Sequence, residues 1–412
     1  MWKSSVLRKG EKMYEVWEEN RQLALNLLKP SPKEIEHGLE LHRNSLVFDA
    51  YGFIPGGGGK PERWEKHILE NGSPAELKAA MEEFKSCTSF LTDPEMARKL
   101  QETLEYCGVD CIFQNAGVEG NDTENMLKRL SCFTMLTDRL KSVFERAVLP
   151  GDFEAIRARG LRSLCFTTNG VPLPSKMVSA EEALEHIVVF ARFGVRMMHL
   201  TYNRRNLIGD GCAEKANGGL SDFGRMVVAE MNRVGIIPDV AHSGQQTSLE
   251  TALCSTRPVV ASHTVAGKLS FHYRGKCDEV IEAIKKSNGY VGICAIPRFL
   301  SGTSDIRAMM DHIEYVARKF GVDHVAIGTD RSTSLAPLET ELKPFPARAI
   351  WEKFTPDPGD GGSKVTDEQF RSICFTNWPI FTIGLVQRGF KDEEIRKIIG
   401  GNVLRVLKDS AV

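Results

Sequence analysis

Residues 235–244 read GIIPDVAHSG, and residues 258–264 read PVVASHT. Each is a short apolar run that stops on polar side chains: Asp239, His242 and Ser243 in the first, Ser262, His263 and Thr264 in the second. An apolar run of this length bounded by turn formers reads as a strand buried on both faces. The stretch between the two is long enough for one helix and its turns. The strands are therefore expected to lie parallel, joined by a crossover.

The same unit recurs in both directions. SLVFDAY (45–51), VDCIFQNAG (109–117), LRSLCFTTNG (161–170) and VRMMHLTYN (195–203) precede it, and YVGICAI (290–296) and VDHVAIGTD (322–330) follow. The segments between them carry helix punctuation. SAEEALEHIVVFARFG (179–194) opens on Ser179 with Glu182 at capping-box spacing and closes on Gly194. SDFGRMVVAEMNRVG (221–235) and DIRAMMDHIEYVARKFG (305–321) also end on glycine. Eight such units predict an α/β fold, a closed (β/α)8 barrel of the TIM type. The barrel is expected over residues 45–412, including the C-terminal helices. Residues 1–44, with Leu23, Leu27, Leu28 and Leu39 among charges, read as an N-terminal helical extension. The connections 56–84 and 331–364 are longer than the rest. Both leave strand C-terminal ends, where such barrels build active sites, and are expected to roof the site.

Composition narrows the function classes. Of 412 residues 42% are hydrophobic and 26% charged, ordinary for a soluble globular enzyme, and the formal net charge is −1. No field favours nucleic acid or an anionic membrane surface, and no basic–aromatic cluster suggests stacking on bases. The N-terminus MWKSSVLRKGEKMYEVWEENRQ lacks the apolar stretch of a signal peptide, and no run reaches transmembrane length. The ten cysteines follow no disulfide or zinc-knuckle spacing, which points to a reducing, cytoplasmic setting.

His242, His263 and Asp330 stand at the C-terminal ends of three strands, and imidazole and carboxylate are ligands that catalytic zinc takes. One histidine at a strand end is more often a satisfied polar residue than a ligand. Two on adjacent strands, with an aspartate on the last, keep a metal or catalytic role open. His199 lies inside its strand and faces either way. His186 and His312 fall in helices. His37, His42 and His67 lie in charged helical segments and are expected to be solvated.

GLSDFGRMVVAEMNRVGIIPDVAHSG (219–244) followed by RPVVASHTVAG (257–267) resembles the core of the membrane (renal) dipeptidase family of metallopeptidases. The likeness continues through HYRGKCDEVIEAIKKSNGYVGI (272–293) and HIEYVARKFGVDHVAIGTD (312–330). It closes on NWPIFTIGLVQRGFKDEEIRKIIGGNVLRVL (377–407), and so spans residues 46–407. The resemblance implies an amidohydrolase-type barrel with a two-zinc centre that cleaves dipeptides and, in some members, β-lactams. It implies His242 and His263 as ligands of the second zinc. Arg274 would bind the substrate carboxylate, and Asp330 would handle the proton of the attacking water. Family members are commonly dimers.

The departures fall on the ligands. Where the family has a D-G-H-x-D motif, this chain has Asp49, Ala50, Tyr51, Gly52 and Phe53, so Tyr51 and Phe53 occupy two ligand positions. Asn169 stands for the bridging glutamate, Tyr202 for the active-site histidine of L-T-H-N, and Arg331 follows Asp330 where F-D-G is usual. Of the carboxylates that would balance two zinc ions only Asp330 remains, so at most one zinc is expected, held by His242, His263 and Asp330. Arg331 has two readings: its guanidinium replaces the missing metal charge, or it turns out into solvent. Tyr51, Tyr202 and Asp330 are the candidate catalytic groups, and Arg274, Tyr202, Asn169 and Arg331 the substrate-binding ones. Three functions remain open. One is a single-metal hydrolase of dipeptide, amide or lactone bonds, with a carboxylate-bearing small-molecule substrate. The others are a metal-independent enzyme using Tyr and His as acid and base, and a non-catalytic ligand-binding barrel.

Overall fold

In chain order the strands are β1 (Phe48–Gly52), β2 (Cys111–Asn115), β3 (Phe144–Arg146), β4 (Arg162–Thr168), β5 (Val195–His199), β6 (Ile237–Asp239), β7 (Ala261–Thr264), β8 (Val291–Ile293) and β9 (Val325–Ile327). These come from a computed structural model that describes residues 12–54, 88–91, 93–332 and 365–412. The eight strands expected from the sequence all form, and β3 is an addition. It is three residues long, too short to show a periodicity, and pairs only with the first half of β4. Of the two long connections expected to roof the site, 56–84 lies outside the described residues, and so does 331–364 apart from Arg331 and Ser332.

All the ladders are parallel: β1-β2-β4-β5-β6 in one sheet and β7-β8-β9 in another. Main-chain hydrogen bonds bridge the two seams. Between β6 and β7, Val240 N–H donates to Val260 O (2.8 Å) and Val260 N–H to Pro238 O (3.0 Å). Between β9 and β1, Asp330 N–H donates to Tyr51 O at 2.9 Å. The Thr329 amide (2.9 Å) and hydroxyl (2.6 Å) both donate to the buried Asp49 carboxylate. The outcome is the expected (β/α)8 barrel.

Strand alternation separates two cores. Leu164, Phe166 and Met198 join the outer cluster shared with the helices, whereas Phe113, Cys165, Met197 and Ile237 belong to a second cluster inside the ring. The rings of Phe48, Phe113 and Phe153 pack at 5.3 and 5.1 Å, and Val403 and Leu407 of helix Asn402–Ser410 join them. Each buried Phe contributes roughly 2–3 kcal/mol. The strand N-terminal end is thereby filled with apolar side chains, and the polar residues are left at the other end.

Local signals set the helix starts. Ser179 accepts from Glu182 N–H (3.1 Å) and Ser221 from Gly224 N–H (2.9 Å). Helix Pro32–Asn44 lies tightly on helix Trp378–Gln387: a Cβ on Gly38 would stand 2.7 Å from an Ile383 side-chain carbon. This contact corrects one expectation. His42 is buried, with Nδ1 2.8 Å from Thr382 Oγ1 and Nε2 3.0 Å from Cys107 O, and burial lowers its pKa to about 4. His37 is exposed and pairs with Asp392 at 2.9 Å, and His67 lies outside the described residues.

Candidate metal centre

His199 ends β5, His263 lies within β7, and His242 sits on the turn that follows β6. The turn is tied down by Ser243 N–H to Val240 O (3.0 Å) and Cys212 N–H to His242 O (2.8 Å). Beside β7 the chains are crowded. A Cβ on Gly292 or on Gly328 would stand 1.9 Å from Ser262 O, so only glycine fits and the strand carrying His263 is closely flanked.

The three imidazoles are buried, and one ligand atom from each lies within 4.8 Å of the others. His242 Nε2 and His263 Nε2 are 3.0 Å apart. His242 Nδ1 lies 2.7 Å from Asn203 Oδ1, an acceptor, so Nδ1 carries the proton and Nε2 presents its lone pair toward His263. His263 Nδ1 lies 2.8 Å from Ser262 Oγ. Burial pushes the pKa of both rings well below the ordinary histidine value, and the Arg274 charge adds to this. Neutral rings are what metal ligation needs.

His199 is differently committed. Its Nδ1 is 3.1 Å from Thr168 O and its Nε2 is 2.8 Å from Asp239 Oδ2. The contact with Asp239 is close but poorly aligned as a hydrogen bond. Burial works to raise the pKa of Asp239. The His199 charge and the Ser262 donors outweigh it and hold the carboxyl below its usual value.

Aromatic rings flank the pair. Tyr51 stacks on His263 at 3.9 Å, and Tyr202 stacks on His242 at 4.1 Å. The Tyr51 hydroxyl donates to Asn169 Oδ1 at 2.5 Å. Burial, then the charge of Asp330, pushes the Tyr51 pKa well above its usual value, so the phenol keeps its proton. Arg274 is buried. Its Nε donates to Ala241 O at 3.2 Å and its Nη2 to His263 O at 2.9 Å.

The structure thus brings together His242, His263, Tyr51, Tyr202, Asn169 and Arg274. The placement of Arg331 is a correction, and that of Asp330 is now defined. Among the described residues the convergent group is completed by His199, not Asp330. Asp330 is half-buried on a left-handed turn (φ 54°), with its amide spent on the barrel seam. Arg331 neither turns out to solvent nor joins the imidazoles. It is buried with its guanidinium 3.7 Å over the Phe370 ring and donates to Phe370 O. The sequence reading left His199 undecided and missed Asn203 and Asp239. Strand alternation carried the signal: His199 shares a face with Met197 in the inner cluster, and it stands opposite Asp239 in register.

Comparison with known proteins identifies the family and the fold. The sequence pattern of the membrane dipeptidases (peptidase family M19) matches residues 69–341. Dipeptidase tcpJ of Claviceps purpurea is 28% identical over 226 residues, 54% of this chain and 46% of its own length. Dipeptidase aclJ of Aspergillus oryzae is 29% identical over 227 residues, again 54% and 46%. The chain therefore spans about half the length of the curated relatives it matches. Among solved structures, an amidohydrolase from Pseudomonas aeruginosa superposes with a TM-score of 0.67 at 26% identity, covering 90% of this chain and 98% of its own. A Rhodobacter sphaeroides metallopeptidase, liganded with a phosphinate mimic of the dipeptide L-Ala-D-Ala, shares the fold at a TM-score of 0.62 and 17% identity, covering 89% and 100%. With the family pattern matched over most of the barrel, the chain belongs to the membrane dipeptidase family.

Proposed function

We propose that this protein is a divergent dipeptidase-type hydrolase that works with at most one zinc ion, held by His242 and His263. The observation that carries the reading is the 3.0 Å approach of the two Nε2 atoms, with His242 oriented by Asn203 as metal-bound histidines usually are. The donor set suits one ion and not two. Tyr51 and Phe53 stand where the family resemblance puts two first-site ligands. The Tyr51 ring lies flat on His263 with its hydroxyl donated to Asn169, so it would offer a second ion no ligand atom. A bound zinc would supply Lewis acidity and lower the pKa of a water molecule toward neutrality.

The chain's own residues supply the rest. Arg274, fixed by the Ala241 and His263 carbonyls, is assigned to the substrate carboxylate. Asp330, at the end of the last strand, is assigned to accept the proton of the attacking water. Tyr51 keeps its proton and acts as a donor, while Tyr202 stacks on His242. The bond cleaved is that of a dipeptide, an amide or a lactone. The reading places the protein in the cytoplasm, supported by described cysteines that are all free and by the absence, among the described residues, of a helix able to cross a membrane. On family resemblance alone it is a homodimer.

A second reading, a metal-independent enzyme, draws on His199. Its Nε2 lies 2.8 Å from the Asp239 carboxylate, so the third imidazole of the group is engaged by an acid of the barrel wall rather than offered to an ion. Elemental analysis of protein prepared with zinc, beside a His242→Ala/His263→Ala double variant, separates the two. About one zinc per chain, lost in the variant, is expected. No zinc in either protein would sink the metal reading.

A further inference from the structure

Lys276 is fully buried, and burial lowers its pKa only to about 8, so it still carries its charge at neutral pH. Its Nζ donates to Ser243 O at 2.5 Å and to Ser248 Oγ at 3.0 Å. Ser243 directly follows His242. Lys276 itself rides on a segment locked to the end of β7: Lys276 N–H donates to Val265 O (3.0 Å), Gly267 N–H to Lys276 O (2.7 Å) and Thr264 Oγ1 to Arg274 O (2.5 Å). Two residues earlier on that segment, Arg274 binds Ala241 O on the other flank of His242, and His263 O besides. One short segment anchored to the His263 strand therefore grips the His242 turn through two buried cations, one on each side of the histidine.

We infer that Lys276 is a positioning residue for the histidine pair: its ammonium holds the Ser243 carbonyl and so fixes where His242 stands relative to His263. Filling a core position needs no charge, and an aliphatic side chain avoids the desolvation penalty of an ammonium. A charge bonded to a carbonyl of the histidine-bearing turn has a use that an aliphatic group cannot meet. Charge-assisted bonds are about twice as strong as neutral ones and directional. The inference rests on the reading that His242 and His263 form the working centre, but not on which ion they hold.

The test is Lys276→Met in the full chain, followed by thermal unfolding, amide hydrogen–deuterium exchange of metal-free protein, and zinc affinity by competition with a chromophoric chelator. The expected result is an unfolding temperature unchanged or raised, with exchange in peptides spanning 240–248 faster by about tenfold or more. There the Ser243 and Gly244 amides are bonded to Val240 O and Asp210 O. Peptides of β8 and β9 exchange as before, and zinc binds about 10–100-fold more weakly. Ser248→Ala, which removes one partner of the ammonium, gives a smaller rise in the same peptides, and decides the matter should Lys276→Met not fold. Exchange at 240–248 that stays unchanged, or that rises equally in every strand, overturns the inference. Wild-type protein that takes up no zinc refutes the metal reading, while exchange still decides the role of Lys276.

Discussion

Asp49→Asn should change how stability depends on pH. Asp49 is fully buried at the seam of the barrel, accepting from the Thr329 amide and hydroxyl and from Tyr51 N–H. Those donors stabilise the carboxylate, but burial outweighs them and pushes its pKa up to about 7. In the unfolded chain it titrates near 4. Between those values the native protein keeps a proton that the unfolded chain has lost, so stability falls as pH rises. The contribution is intact below about pH 4 and gone above about pH 7, a loss of roughly 4 kcal/mol over the window. His42 acts in the opposite sense. Its pKa is lowered to about 4, so the stability tied to its neutral ring is present above about pH 6.5 and lost on acidification, a swing of roughly 3 kcal/mol. The two slopes oppose each other in the wild type, and only variants separate them. Asn at position 49 can still accept from the two amides, while the Thr329 hydroxyl rotates to accept. Urea unfolding followed by circular dichroism from pH 4.5 to 8 gives the stability difference between variant and wild type. That difference should grow in favour of Asp49→Asn by a few kcal/mol on going to pH 8. A difference constant with pH, or one that shrinks, would refute the assignment.

Three further outcomes are expected. His42→Gln should flatten the acid limb of the stability curve below pH 6.5, read by the same urea series; a limb as steep as the wild type's would count against the buried neutral ring. Asn203→Ala should weaken zinc binding by about 10–100-fold with little change in unfolding temperature, because it frees His242 Nδ1 without opening the core. Phe113→Ala at the barrel floor should cost about 3–5 kcal/mol of stability, since its ring packs against Phe48 with no exposure; a cost under about 1 kcal/mol would mean the floor can collapse around the gap.

Much of the site was legible before any coordinates. The apolar runs ending in Asp239, His242, Ser262, His263 and Asp330 gave eight strands, their parallel order and the end at which polar residues collect, because a buried parallel strand has to be apolar along its length. Tyr51, Asn169 and Tyr202 were found through family motifs; the two tyrosines stack on the histidine pair, and Asn169 accepts from Tyr51. Arg331 and Asp330 needed the structure to be placed. Arg331 is captured by the Phe370 ring and carbonyl, a partner 39 positions away, and Asp330, on a left-handed turn at the seam, stays near enough to act on Tyr51 without joining the three-histidine group. His42 was read from its charged neighbours as solvated, but helix Trp378–Gln387 covers it.

The sequence by itself determined the repeating βα rhythm, the closed parallel barrel that follows from it, and which residue types stand at the strand ends. These depend on local periodicity and on short-range turn chemistry. Only the tertiary structure decided which polar groups face one another. It set His199 opposite Asp239, brought His242 Nε2 to 3.0 Å from His263 Nε2, and led a buried lysine from one strand end to the carbonyl beside His242. Those meetings depend on strand register, on glycines that let three chains crowd at Ser262, and on a few donors that find acceptors across the barrel. Beyond the alternation that turns His199 inward, none of them leaves a period in the sequence.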